Sequence, residues 1–119
     1  HLDNGEPNGV VLESAQQLIS RHVPAYTREQ QKAGLVKMIQ DFNAEGMTGA
    51  KDPGISELKW ALYNELLNEG QLDVRVFALW AGPRRLDQYA AVKARVDANP
   101  RPPRSLGDGR LFSGGVKMY

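Results

Sequence analysis

The stretch Val74-Arg75-Val76-Phe77-Ala78-Leu79-Trp80, residues 74–80, decides the fold class of this chain. Its apolar residues follow one another almost without interruption, which is typical of a parallel strand that is covered on both faces. Gly70 precedes it and Gly82-Pro83 interrupts the pattern after it, so the stretch has the length of one strand. We therefore predict a buried strand over residues 74–80.

On the N-terminal side of this strand, the sequence predicts a helix over residues 56–69. Ser56 is expected to cap this helix, and Ile55 and Trp60 have the spacing of a hydrophobic staple. Asp52-Pro53-Gly54 is a turn signal, which leaves a short strand over residues 47–51 before it. The side chains expected on the buried face of the helix are Leu58, Ala61, Leu62 and Leu66.

On the C-terminal side, a further helix is predicted from about Arg84 to Asp97. Asn99 to Pro103 contains prolines that no helix accommodates, so this segment is expected to be an extended loop. Gly114 and Gly115 precede the opening of a third strand, which we place at residues 115–119. The helix is expected to turn Leu86, Tyr89, Ala90 and Val96 inward.

The first 46 residues are expected to be a loop followed by helices. A short helix should end at Pro24, with Leu12, Ala15, Ile19 and Val23 on one face. Thr27 and Gln30 have the spacing of a capping box that starts a longer helix. Gly46 suits the position just past its end. The apolar stripe of that helix consists of Leu35, Met38, Ile39 and Phe42.

Helices that alternate with strands predict an α/β fold of βαβ units with parallel strands and right-handed crossovers. The chain is predicted to be one fragment, with helices in residues 1–46 and a strand-helix-strand-helix-strand segment in residues 47–119. Three strands are too few to close into a barrel, so both edges of the sheet should be open. Self-association through these edges is therefore expected.

Composition excludes several kinds of partner. The 119 residues carry 15 basic and 14 acidic side chains, a balance that predicts neither a nucleic-acid partner nor an anionic membrane partner. Disulfides and thiolate metal sites are excluded, since the chain has no cysteine. No apolar run approaches the roughly 20 residues that span a bilayer. The polar first residues do not resemble a signal peptide, and the missing initiator methionine indicates an excised or processed piece.

Few residues have the spacing of a known catalytic or metal site. His1 and His22 are too far apart for a paired-histidine metal motif, and His22 is expected to lie at a helix end, where a cation suits the dipole. A cluster of arginines near the C-terminus is either a small anion site or a solvated loop, and we favour the loop. These arginines are Arg101, Arg104 and Arg110.

Four segments, in order along the chain, resemble the YtcJ-like branch of the metal-dependent amidohydrolases. Asn4–Ala15 (NGEPNGVVLESA) resembles that branch's "G-x-P-x-G-hydrophobic-x-E-x-A" stretch, and Asn43–Asp52 (NAEGMTGAKD) resembles its "N-x-x-G-(I/M)-T-S-x-x-D". Gly49 stands where serine is usual. Glu69–Val76 and Gly114–Tyr119 (GGVKMY) are similar to its entries into two later strands.

This resemblance implies a partial (β/α)8 TIM-type barrel. It implies an enzyme that hydrolyses C–N bonds in small amide-like substrates with one or two divalent metals, such as zinc. The family's paired-histidine motif would precede residue 1, and its later ligands and catalytic aspartate would follow residue 119. We therefore expect the isolated chain to be inactive and to hold no metal by itself. The alternative is a small non-catalytic α/β binding or interaction module.

Two site residues follow from the resemblance. Lys117 stands where many amidohydrolases carry a lysine that bridges two metals, because a deprotonated lysine reacts with carbon dioxide to form a carboxylate-like carbamate. Alternatively, Lys117 is a barrel lysine that has a different polar role and binds no metal. Asp52 would lie at the carboxyl end of a barrel strand, the catalytic face of such barrels. Its other interpretation is a turn residue ahead of Pro53-Gly54.

Overall fold

The computed structural model of the chain describes residues 4–83, 85–99 and 109–118. Helix α1 (Gln17–Ser20) follows a 3-10 turn at Glu13–Gln16, and helix α4 (Tyr89–Ala98) follows a 3-10 turn at Leu86–Gln88. The other helices are α2 (Arg28–Ala44) and α3 (Glu57–Asn68). The strands are β1 (Gly49–Ile55), β2 (Arg75–Ala81) and β3 (Leu111–Lys117).

The three strands form one parallel sheet in the order β1-β2-β3. Gly49 pairs with Arg75 at one end of the first ladder, and Ala81 pairs with Lys117 at one end of the second. The α/β class and the parallel pairing of neighbouring strands are therefore confirmed. The right-handed sense of the crossovers stays a prediction.

Helix α2 begins and ends where its local sequence indicates. The Thr27 side chain accepts a hydrogen bond from the Gln30 backbone N–H, and the Gln30 side chain accepts one from the Thr27 backbone N–H, so the capping box is confirmed. Gly46 follows the helix with φ of +74°. Its N–H donates to Asn43 O while the Met47 N–H donates to Phe42 O, which is the Schellman ending that favours glycine.

Helix α3 starts at the predicted cap, and of its predicted buried face Leu62 and Leu66 are confirmed. The Ser56 hydroxyl accepts a hydrogen bond from the Lys59 N–H, as expected of an N-cap. Leu58 is 38% exposed and Ala61 is also exposed, so their predicted burial was wrong. Tyr63 is buried beside Leu62 and Leu66, because the helix turns this side toward the sheet.

Helix α4 also differs from its predicted face. Leu86 is 95% exposed, Tyr89 is 61% exposed and Ala90 is exposed, so all three inward assignments were wrong. The helix is preceded by a 3-10 turn, which has about three residues per turn. The inward face was predicted with 3.6 residues per turn from Leu86 onward, so it is rotated away from the face that α4 buries. Val92 is buried instead, and Val96 is partly buried against the core. Arg84, where the predicted helix began, lies outside the described residues.

Two strands are longer than predicted. β1 runs through Asp52-Pro53-Gly54, so the turn predicted there was wrong. Proline is tolerated because β1 is at the edge of the sheet and its register shifts between Pro53 and Ile55, where Gly54 has φ of +89°. β3 begins at Leu111, four residues before its predicted start at residue 115, because these residues also pair with β2. It ends at Lys117, and Tyr119 lies outside the described residues.

The helices cover one face of the sheet. Val76, Ala78 and Trp80 point into a core shared with α2 and α3 and are at most 2% exposed. Phe77 and Leu79, which alternate with them, are only partly buried, so the predicted covering of both faces was wrong. The other side, which no described helix covers, is called the open face, and its residues are Lys51, Pro53, Arg75, Phe77, Leu79, Ala81, Phe112 and Lys117.

Residues 4–26, called the arm below, extend away from this core. Leu12, Ala15, Ile19 and Val23 are all exposed, so the predicted packing of this face was wrong for the described part of the chain. The radius of gyration is 17.5 Å, whereas a compact chain of this length has about 13–14 Å. No helix within the described residues is long and apolar enough to cross a membrane.

Candidate functional site

Asp52 lies in the middle of β1 and points toward the helices, so its predicted place at the carboxyl end of the strand was wrong. Its Oδ2 accepts a hydrogen bond from the Tyr63 hydroxyl at 2.7 Å. The same oxygen forms an ion pair with Lys59 Nζ, also at 2.7 Å. Both partners lie on α3, one turn apart. The Asp52 side chain is 20% exposed and that of Lys59 is 37% exposed. The carboxylate therefore joins the edge strand to the helix that follows it.

This cluster forms the polar end of a small cavity of about 120 Å³. Burial, and then the hydrogen bond to Asp52, raise the pKa of the Tyr63 hydroxyl, so it stays protonated and continues to donate. The lining residues are Met38, Phe42, Ala50, Lys51, Asp52, Lys59, Tyr63, Val74 and Val76. The arrangement fixes the position of α3 on β1, while the catalytic role of Asp52 stays a prediction.

Lys117 is the last residue of β3 and is partly buried. Because it pairs with Ala81, which alternates with Leu79 along β2, its side chain belongs to the open face. Its carbonyl accepts a hydrogen bond from the Gly82 N–H at 2.9 Å. A Cβ on residue 82 would lie 2.6 Å from that carbonyl oxygen, so the close approach of the two backbones requires glycine.

The structure does not bring Asp52 and Lys117 together. They lie on the two outer strands, which are about 10 Å apart across β2, and on opposite faces of the sheet. Within the part of the chain that the structure describes, no three His, Cys, Asp or Glu side chains are grouped as metal ligands.

The remaining sequence candidates are dispersed. His22 follows α1, is exposed, and its Nε2 accepts a hydrogen bond from Arg21 Nε at 3.1 Å. Arg110 Nη1 donates a long hydrogen bond of 3.5 Å to Leu72 O. Arg101 and Arg104 lie outside the described residues, so the choice between an anion site shared with Arg110 and a solvated loop stays a prediction.

One charged network joins two helices and was not found from the sequence. Glu65 of α3 binds Arg28 and Lys32 of α2, and Lys32 also binds Glu69 at 2.8 Å. The hydrogen bonds from Arg28 and then Lys32 lower the pKa of Glu65 to about 2. No local spacing signals this pairing, since its partners are more than 30 residues apart.

A second contact set that the sequence does not reveal lies in the core. Trp60 Nε1 donates to Asn99 Oδ1 at 3.1 Å, and Trp80 Nε1 donates to Ser113 Oγ at 3.3 Å. Ser113 Oγ in turn donates to Asn99 O at 2.9 Å. The two indole rings pack at a centroid distance of 5.5 Å. These contacts fix the end of α4 against β2 and β3.

Comparison with known proteins identifies no family for this chain. No protein-family model, no curated protein and no solved structure matches it.

Proposed function

We propose that the chain is part of a metal-dependent hydrolase acting on C–N bonds of small amide-like substrates, with Lys117 in its active site. The supporting observation is the layering of the sheet. Three parallel strands lie side by side in chain order, helices cover one face, and Lys117 ends β3 on the other face. In a (β/α)8 barrel the helices lie outside, and the catalytic side chains extend from the carboxyl ends of the strands.

The surroundings of Lys117 are compatible with that role. Ala81 pairs with it across the ladder and carries only a methyl group, which leaves more room than a larger side chain would. As a carbamate, Lys117 would offer two oxygens to divalent metal, which polarises a substrate carbonyl when bound. The described residues do not complete such a centre, so further ligands would have to come from elsewhere in the protein.

The test uses the protein encoded by the complete reading frame that contains these 119 residues. The purified protein should hold divalent metal, measured by elemental analysis, and should hydrolyse members of a panel of N-acyl amides. Lys117→Ala should lower metal-dependent kcat/KM by more than about 100-fold, since even outer-shell partners of metal ligands contribute 10–100-fold.

Lys51→Ala is the matched control, because Lys51 also lies on the open face but on the opposite edge strand. It should retain activity. The isolated 119-residue chain should show no turnover with added zinc or manganese. Full activity of Lys117→Ala, or a purified parent protein that neither binds metal nor cleaves amides, would reject the proposal.

A non-catalytic binding module is the second candidate. The observation that favours it is the row of large apolar side chains along the arm, which the described residues leave exposed. Large exposed apolar patches commonly mark interaction sites. A parent protein that captures a partner through these surfaces and shows no hydrolysis would favour this function.

A further inference from the structure

The small cavity on the helix side of the sheet has an apolar body and one polar end. Its volume is about 120 Å³, and Met38, Phe42, Val74 and Val76 supply the apolar part of its lining. The two valines are each 1% exposed, so this part of the lining belongs to the core. Because an apolar cavity of about 150 Å³ takes a molecule of the size of benzene, this one suits a ligand of about five non-hydrogen atoms.

The polar end of the cavity keeps hydrogen-bonding capacity that the fold does not use. Tyr63 and Lys59 both bind Oδ2 of Asp52, at 2.7 Å each, and Oδ1 forms no hydrogen bond with a described residue. Every fully buried side-chain oxygen of the described residues has a partner, so Oδ1 is accessible to a water-sized group. The Lys59 ammonium has three N–H donors and directs one of them at Asp52. One acceptor and two donors are therefore left for a ligand.

The charges at the polar end favour an uncharged head group. Asp52 and Lys59 neutralise each other, so Lys59 would repel an added ammonium and Asp52 would repel an added carboxylate. A hydroxyl avoids both costs, because it donates to Oδ1 of Asp52 while its oxygen accepts from Lys59. An ether only accepts, and it would leave Oδ1 without a donor.

We propose that this cavity binds a short-chain aliphatic alcohol, with the hydroxyl between Asp52 and Lys59 and the carbon chain against the four apolar side chains. The site is independent of the hydrolase function proposed above, because it lies on the helix side of the sheet whereas Lys117 belongs to the other face. The bound alcohol fills space between β1, β2 and the two helices α2 and α3, so it stabilises the folded chain.

The first test compares isobutanol with its isomer methyl isopropyl ether, which has the same size but no hydroxyl hydrogen. The protein carries carbon-13 in its valine and methionine methyl groups, and NMR follows the titration. Isobutanol should shift the methyl signals of Val74, Val76 and Met38 in a saturable manner, and the ether should bind about tenfold more weakly. Isobutylammonium and isobutyrate should also bind more weakly. Equal affinity for the alcohol and the ether, or shifts that do not saturate, would overturn the proposal.

The second test fills the cavity. Ala50 is part of its lining, so Ala50→Leu should abolish the saturable shifts. Ala61→Leu is the matched control, because it makes the same change at an exposed position of α3, and its affinity for isobutanol should be unchanged. A folded Ala50→Leu variant that binds isobutanol as tightly as the unaltered chain would overturn the proposal.

A third comparison decides the question even if circular dichroism shows that Ala50→Leu does not fold. Lys59→Met removes the ammonium donors but keeps the aliphatic stem, so it should weaken isobutanol binding about tenfold. Lys93→Met is its control, because it removes another lysine that forms an ion pair, here with Asp97 on α4. Equal affinities of the two lysine variants would overturn the proposed place of the hydroxyl and with it the proposal.

Discussion

Ser113 is a polar residue inside the core and is 2% exposed. Its hydroxyl accepts a hydrogen bond from the Trp80 indole and donates one to Asn99 O. Ser113→Ala should therefore lower the free energy of unfolding by about 1–3 kcal/mol, because a buried donor and a carbonyl both lose their partner. Urea unfolding followed by tryptophan fluorescence measures this change.

Ser20→Ala is the control for that substitution, since Ser20 is exposed at the end of α1. It should change the free energy of unfolding by no more than about 0.5 kcal/mol. Equal losses in the two variants would mean that the hydroxyl of Ser113 contributes nothing beyond an ordinary surface hydroxyl.

At the scale of the elements, α2 and α3 are joined by Glu65 and its two basic partners. The folded pKa of Glu65, about 2, lies below the usual value of 4.5 because Arg28 and then Lys32 bind the carboxylate. A lowered carboxyl pKa stabilises the folded chain above about pH 4.5, and this contribution is lost as the pH falls toward 2. Between pH 6 and pH 3, the unaltered protein should therefore lose more stability than Glu65→Gln.

Denaturant unfolding at the two pH values measures that difference. Glu45→Gln is the control, because Glu45 is an exposed carboxyl that forms no ion pair with a described residue. It should keep the pH dependence of the unaltered protein. The Glu65 effect should also shrink at high salt, since the pair is partly exposed and is screened. An identical pH dependence in Glu65→Gln and the unaltered protein would contradict the assignment.

At the scale of the whole molecule, stability should be concentrated on β2. It is paired on both sides and contributes Val76, Ala78 and Trp80 to the core, whereas the arm leaves its apolar side chains exposed. Hydrogen exchange followed by mass spectrometry should find the β2 amides the slowest and those of residues 10–23 the fastest in dilute samples. An arm as protected as β2 would contradict this prediction.

Local sequence determined the ends of α2 and the start of α3. The contacts of Thr27 with Gln30, of Gly46 with Asn43 and of Ser56 with Lys59 lie within a few residues of one another, so spacing and residue type are sufficient to predict them. The alternation of apolar segments was likewise enough for the α/β class and for parallel neighbours.

The candidate site could be predicted only in part. Residue type and a family resemblance were enough to select Asp52 and Lys117, but not to reveal that they lie on opposite faces of the sheet. That arrangement depends on the register of β1 and β3 against β2. A shift of either strand by one residue would turn its side chains to the other face of the sheet.

The tertiary structure decided what depends on partners distant in the chain. Pro53 lies in a strand because β1 is at the edge of the sheet. Tyr63 is buried because its hydroxyl donates a hydrogen bond to Asp52, which lies 11 residues earlier on β1. The same holds for the face that α4 buries and for the exposure of the arm. Local sequence thus determined the helices, because helix hydrogen bonds and caps join residues close in the chain, and the apolar pattern indicated roughly where the strands lie. Only packing decided which side of each segment meets the core, because that depends on surfaces that come together after the chain folds.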